Sequence, residues 1–273
     1  MRCLAVCVHR RWVGNAQNYF FPNHSAVSFN RSSTPHHGQN PSASFAFWGA
    51  GGRGRTTSAM VQTVKLAEII LVTMEIRRGK NKMSVDGKVA TELDCFVLDC
   101  AGIIEKTTPY VIVSGYVAIF FGRARGTEDI DMLIPRIKKD EFMKMHKNLA
   151  KEGYYFLNPE DAEGLYDMLA NDKLGIRIAK KNTIIPNMEM KFVKDGFDDF
   201  SLRNRQEVVF GKNRVYLAPF EIQIPYKIRL SSEKDIEDAV YLWEISKDFI
   251  DRKAVAAFFR ELKVRGDKYG IEV

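Results

Sequence analysis

The sequence predicts an α+β fold: a half in which strands and helices mix, followed by a C-terminal helical region beginning near residue 219. Three observations carry that prediction. Short β-branched or alternating runs are interleaved with segments of helical period between residues 88 and 218. From residue 219 onward only helical periods remain. Over residues 8–58 neither period is sustained, so the fold is expected to lie downstream of Met74.

Charge divides the 273-residue chain at the same place. The overall formal charge is +7. Residues 1–73 hold seven Lys/Arg and one acid, Glu68, whereas residues 74–273 hold 34 Lys/Arg and 33 Asp/Glu. The second part is nearly neutral, so the basic total is no argument for nucleic-acid binding. Residues 1–73, rich in Ser, Asn, Gly and Arg, are expected to be a disordered or non-native extension. An upstream start, with Met74 the true initiator, is the first reading; a basic arm and an Arg/Ser-rich transit peptide are the alternatives. The expected organisation is therefore 1–73 extension, 74–218 mixed α/β domain and 219–273 helical region.

The elements follow in order. Lys88–Lys106 carries Val89, Leu93, Phe96, Val97 and Ile104 at helical spacing and predicts a helix. Tyr110–Val113 predicts a buried strand, and Tyr116–Phe121 a short helix ending near Gly122. Ile130–Ile134 predicts a second strand, stopped by Pro135. Lys138–Glu152 predicts an amphipathic helix with Phe142, Met145 and Leu149 inward and Gly153 after it. Asp161–Asn171 predicts a further helix, and Leu174–Ala179 and Met188–Val193 predict strands on either side of Pro186. Glu207–Phe210 and Val215–Leu217 flank Gly-Lys-Asn and predict a hairpin. Helices are expected over Pro219–Leu230, Glu233–Ser246 and Lys253–Gly266.

Chemistry concentrates in residues 111–135, VIVSGYVAIFFGRARGTEDIDMLIP. Ser114-Gly115 forms a small-residue turn after a buried strand and before a helix, a bend that presents amide N–H groups to a phosphate. Fourteen residues on, Asp129-Ile130-Asp131 opens the next strand, where period 2 sets both carboxylates on one face and turns Ile130 and Met132 into the core. Adjacent carboxylates repel unless a hard cation sits between them, and Mg²⁺ characteristically shares one or two carboxylates with substrate phosphates. In Met188–Val193 alternation puts Glu189 and Lys191 on one face and Met188, Met190 and Phe192 on the other.

The unit of strand, Ser-Gly, helix, Gly-Arg-x-Arg-x-Thr, Asp-x-Asp, strand resembles the signature of the DNA polymerase β-like nucleotidyltransferase superfamily. It is most similar to the minimal nucleotidyltransferases and the AbiEii-type toxin enzymes. That resemblance implies a mixed β-sheet flanked by helices and a C-terminal helical region. It also implies an Mg²⁺-dependent nucleotidyltransferase that moves a nucleoside monophosphate from a nucleoside triphosphate to a hydroxyl acceptor. By motif, Asp129 and Asp131 would hold Mg²⁺, Ser114 and Gly115 would contact the triphosphate, and Arg123, Arg125 and Thr127 fall beside the site. The family's third carboxylate falls to Glu189, with Lys191 the alternative occupant of that position. Residues 225–242, PYKIRLSSEKDIEDAVYL, resemble the helical segment that follows the catalytic half in AbiEii-type enzymes; there Lys227 would reach the phosphates, and Lys234 would pair with Asp238 four residues on. The acceptor implied is an RNA 3′ end or a protein side chain, with an antitoxin partner if the toxin likeness extends to function; a small-molecule acceptor such as an aminoglycoside is the remaining alternative. The alternative reading is a catalytically inactive nucleotide-binding module of the same fold.

Composition excludes other classes. No eighteen-residue apolar run exists, so no membrane partner is expected and a cytoplasmic location is. Cys3, Cys7, Cys95 and Cys100 are too few and scattered for a disulfide framework, and their spacings suit no structural zinc. His146 lies far from the motif and is assigned no catalytic role.

Overall fold

The computed structural model describes residues 74–273; the extension expected over 1–73 lies outside the described residues. In chain order these form β1 (Glu75–Arg78), β2 (Lys82–Asp86), α1 (Glu92–Ile104), β3 (Val111–Val113), α2 (Gly115–Phe120), β4 (Asp129–Ile134) and α3 (Lys139–Lys151). There follow β5 (Tyr154–Phe156), α4 (Ala162–Ala170), β6 (Ile176–Lys180), β7 (Asn187–Phe192), α5 (Gly196–Arg203), β8 (Gln206–Phe210) and β9 (Asn213–Leu217). Helices α6 (Phe220–Leu230), α7 (Glu233–Ser246) and α8 (Arg252–Glu261) and a short 3₁₀ turn at Asp267–Tyr269 complete the order.

The nine strands form one mixed sheet in the order β1-β2-β8-β9-β3-β4-β7-β6-β5. The centre holds β3, β4 and β7, the strands with the most buried faces. β3 runs antiparallel to β4 and parallel to β9, and β4 runs parallel to β7. Ile130 and Met132 on β4 and Met188 and Met190 on β7 are fully buried, each contributing about 1.5–3 kcal/mol. A one-residue slip would exchange these for Asp129, Asp131 and Glu189, so burial fixes the register that lines up the carboxylates.

The helices start where local chemistry dictates. Thr91 caps α1 with a reciprocal Thr91–Asp94 box, so the helix begins at Glu92; Val89, expected inside it, lies before the cap and is exposed. Asp161, Asp195, Ser232 and Asp251 cap α4, α5, α7 and α8. β1, β2, β5 and α5 arise where the sequence predicts no element. β1 and β5 are edge strands of four and three residues, and edges tolerate charge such as Glu75, Arg77 and Arg78.

An aromatic stack ties α2 to the C-terminal helices. Phe120 meets Phe210 and Phe121 edge-on at 5.1 Å, and Phe121 meets Phe220 at 4.9 Å between ring centres. The Tyr241 hydroxyl on α7 donates to the Phe121 carbonyl at 2.8 Å. One apolar cluster thus runs from the sheet into α6 and α7, and holds the loop after α2 against α7. No helix among the described residues is long and apolar enough to cross a membrane.

Candidate active site

β3 ends at Val113, and the chain turns sharply at Ser114, whose φ of 63° and ψ of −136° lie where only glycine is unstrained. The turn is held from behind. The Ser114 N–H donates to Oε1 of the buried Gln223 on α6 at 2.9 Å, so this amide is committed within the protein. Gly115 begins α2, and a Cβ there would lie 2.0 Å from Nη2 of Arg125. A side chain at this position would displace the guanidinium from the backbone, so glycine permits the close approach of Arg125.

Asp129 and Asp131 open β4 on one face, with Ile130 and Met132 buried on the other. The Asn187 side-chain amide donates to the Glu128 carbonyl at 3.1 Å and holds the loop leading into β4. The Thr127 hydroxyl donates to the Asp129 carbonyl at 2.8 Å, so it too shapes that loop. Ser114, Gly115, Arg125, Thr127, Asp129 and Asp131 line one cavity of about 190 Å³, together with Leu230, Lys234 and Asp235. A second cavity of about 510 Å³ shares Arg125, Thr127, Asp129 and Lys234 with it and adds Arg177 and Asn187.

Arg123 and Lys227 do not line either cavity. Both converge on Asp238, which is fully buried on α7. Arg125 grips the Asp238 carboxylate with two parallel bonds of 3.0 Å, Arg123 binds Asp238 and Glu237, and Lys227 Nζ lies 2.7 Å from Asp238 and 3.1 Å from Asp235. The i, i+4 pairing expected between Lys234 and Asp238 is not made: Asp238 faces inward to three cations, while Lys234 stands exposed on the cavity rim. Burial pushes the Lys227 ammonium below its ordinary range against the pull of Asp235, and the two arginines push the same way. Burial likewise lowers Arg123 and Arg125. Asp235 is raised by burial but held net low by the Ser232 hydroxyl and Lys227.

Glu189 on β7 is the register partner of Asp131. Lys191 places its ammonium between them, 3.0 Å from Asp131 Oδ1 and 2.8 Å from Glu189 Oε2. Burial lowers its pKa, but Asp131 and Glu189 outweigh that and raise it. Asp129, by contrast, makes no hydrogen bond or ion pair through its carboxylate among the described residues. That leaves one carboxylate, and one oxygen of its neighbour, as hard oxygen donors facing the cavity of the Ser114 turn. The donor set suits a single Mg²⁺ that completes its shell with phosphate and water.

Gln223, Gly175 and Asn187 belong to this arrangement although the motif does not mark them, and Asp238, marked only as the partner of Lys234, is the anion on which its cations converge. Gln223 and Lys227 carried a readable signal: two polar residues four apart in the apolar helix FEIQIPYKIRL, both buried. His146 stacks on Phe156 at 4.7 Å, away from the site.

No family model and no curated protein matches the chain. Among solved structures, the chain is similar to the solution structure of the antibiotic-resistance factor ANT(2″)-Ia, at TM-score 0.39 and 16% identity over 64% of this chain and 89% of that one. It is similar to the crystal structure of ANT(2″)-Ia in complex with adenylyl-2″-tobramycin, at 0.40 and 16% over 63% and 95%. It is also similar to an antigenic nucleotidyltransferase-like protein from Paracoccidioides brasiliensis, at 0.38 and 13% over 65% and 91%. At such values the likeness is distant, and the chemistry rests on the residues of this chain.

Proposed function

We propose that the chain is an Mg²⁺-dependent nucleotidyltransferase that moves a nucleoside monophosphate from a nucleoside triphosphate to a hydroxyl acceptor. One observation supports the reading: Asp129 and Asp131 share a cavity with the Ser114-Gly115 turn and Arg125, so paired carboxylates and groups able to receive phosphate oxygens line the same space. Asp129 and Asp131 would hold the ion, which when bound neutralises phosphate charge and polarises the phosphoryl group.

The chain's own groups do the rest. The Gly115 backbone and Arg125 receive the phosphates, and Asp238 fixes Arg125 in two directions so that little reorganisation is needed. Lys227 and Arg123 set the Asp238 carboxylate from behind and so act through Arg125. The acceptor oxygen attacks the α-phosphorus, the bond to the β-phosphate oxygen breaks, pyrophosphate leaves with that electron pair, and the acceptor proton passes to water. The larger cavity is lined by Arg125, Arg177 and Lys234 and by Glu128 and Asp129, a mixed wall on which Arg177 and Lys234 are the cations available to an RNA 3′ end.

The test uses the full chain with α-labelled nucleoside triphosphates, Mg²⁺ and a mixture of total RNA and lysate protein. Label transfer with pyrophosphate release, absent in Asp129→Asn/Asp131→Asn, is the expected result. Labelled protein in place of RNA would move the acceptor to a side chain, the arm in which an antitoxin partner would be found. Mg²⁺-dependent nucleotide binding without transfer would replace the enzyme by a nucleotide-binding module. Neither binding nor transfer would remove the reading altogether.

A further inference from the structure

We propose that Lys191 is a tethered cation standing where a second divalent ion would otherwise bind, so that the site takes one metal, on Asp129 and Asp131. Glu189 is then the positioning residue for Lys191 rather than a metal ligand. The inference rests on the nucleotidyltransferase reading and specifies how its site is charged.

A row of side chains crosses three strands here. Asp131 on β4 pairs in register with Glu189 on β7, and Glu189 with Arg177 on β6. Two carboxylates on neighbouring strands form a natural bridging site for a hard cation. The bridge is filled from within the sheet: Lys191, two residues beyond Glu189 on the same face, reaches back to lie 3.0 Å from one carboxylate and 2.8 Å from the other. Arg177 approaches the other oxygen of Glu189 at 4.0 Å. Glu189 therefore meets two cations of the chain itself.

The backbone closes over this pair. A Cβ on Gly175, just before β6, would lie 2.8 Å from Glu189 Oε1 and 2.9 Å from Lys191 Cε. Mg²⁺ demands near-octahedral oxygen ligation at about 2.0–2.1 Å and keeps several waters. That shell cannot form where the ammonium already sits between the two oxygens and Gly175 covers them. Asp129 has no such partner among the described residues and lines the cavity. Lys191 supplies a fixed single charge beside the phosphates, but it cannot ligate and acidify a hydroxyl as a metal does.

The experiment counts metal ions. Mn²⁺ is titrated into the full chain in the presence of an α,β-methylene triphosphate analogue, and bound ion is read by electron paramagnetic resonance. One Mn²⁺ per wild-type chain is expected. Lys191→Met, which unmasks Asp131 and Glu189 to each other, is expected to bind two, and Lys191→Met/Glu189→Gln to return to one. Lys191→Arg, with its charge retained, is expected to stay at one. Two Mn²⁺ in the wild type overturn the proposal without reference to any variant, as does a folded Lys191→Met that still binds one. If the wild type binds two and label is transferred, the nucleotidyltransferase reading survives and only the tethered cation falls. If it binds neither ion nor analogue, both fall together.

Discussion

Asp238 is the residue whose loss should be felt most. Its carboxylate is fully buried and is approached by Arg123, Arg125 and Lys227, whose side chains are 14%, 18% and 1% exposed. Asp238→Asn keeps the shape, removes the charge and turns an N–H donor toward three donors. The arginines can recover part of their solvation at the cavity edge, but Lys227 cannot, and retains only Asp235 at 3.1 Å. Breaking a buried pair by removing one partner costs about 3–5 kcal/mol, and the lost anion here serves three cations. For a fold of about 200 residues, that converts to a fall of about 6–20 °C in melting temperature. Lys227→Met should cost less, because Asp238 keeps both arginines. The double variant should fall well short of additivity, since the second substitution removes a cation already stranded by the first. Thermal unfolding of the four proteins, followed by circular dichroism, completes the cycle. A melting temperature within about 2 °C of wild type for Asp238→Asn, or strict additivity in the cycle, would refute the argument that this carboxylate neutralises the cluster.

Three further outcomes follow from the same geometry. Gly115→Ala sets a methyl group on the Arg125 guanidinium, so the arginine must leave Asp238; nucleotide affinity should fall by about tenfold or more while stability drops by about 1–3 kcal/mol, measured by fluorescent-nucleotide titration and urea unfolding. Ser114→Gly removes the strain of a non-glycine residue at φ 63° and should stabilise by about 1–3 kcal/mol, whereas Ser114→Ala should not, as compared by melting temperature. Asp235 is raised by burial but held net below the ordinary carboxyl range by Ser232 and Lys227. Its contribution is therefore present above the unfolded value of about 3.9 and is lost as pH falls through its lower native value. Urea midpoints taken through acid pH should fall more steeply for wild type than for Asp235→Asn.

What could be read in the sequence, and what could not, divides along physical lines. β3, β4, β7 and the β8–β9 hairpin are legible because a central strand must be apolar on the buried face, and VIV, IDMLI and NMEMKF carry that pattern without help from neighbours. β1 and β5 are not, because an edge strand owes its existence to its partner: EIRR becomes a strand only when Val85 and Met83 of β2 present a ladder to it. α5 is hidden for a related reason. GFDDFSLR has two acids in its first turn and few inward positions, and it forms because Asp195 caps it and Leu202 finds the small cluster of Val111, Leu133 and Ala218.

The site shows the same division, between residues on one strand and residues that meet across strands. The relation of Asp129 to Asp131 is fixed by the two-residue repeat of β4, and that of Glu189 to Lys191 by the repeat of β7, so both pairs are visible in one dimension. Which pair faces which depends on parallel pairing of strands more than fifty residues apart, and that pairing sets Asp131 opposite Glu189. The charge cluster is harder still. Read along α7, Lys234 and Asp238 lie at the spacing of a surface pair. Their fates separate because α7 turns Asp238 toward α6 and the loop after α2, where it meets Lys227, Arg123 and Arg125 together, while the neighbouring buried Asp235 pairs with Lys227. Helical spacing states which side chains are able to pair along a face, while the stronger demand of buried cations for a buried anion decides which of them do.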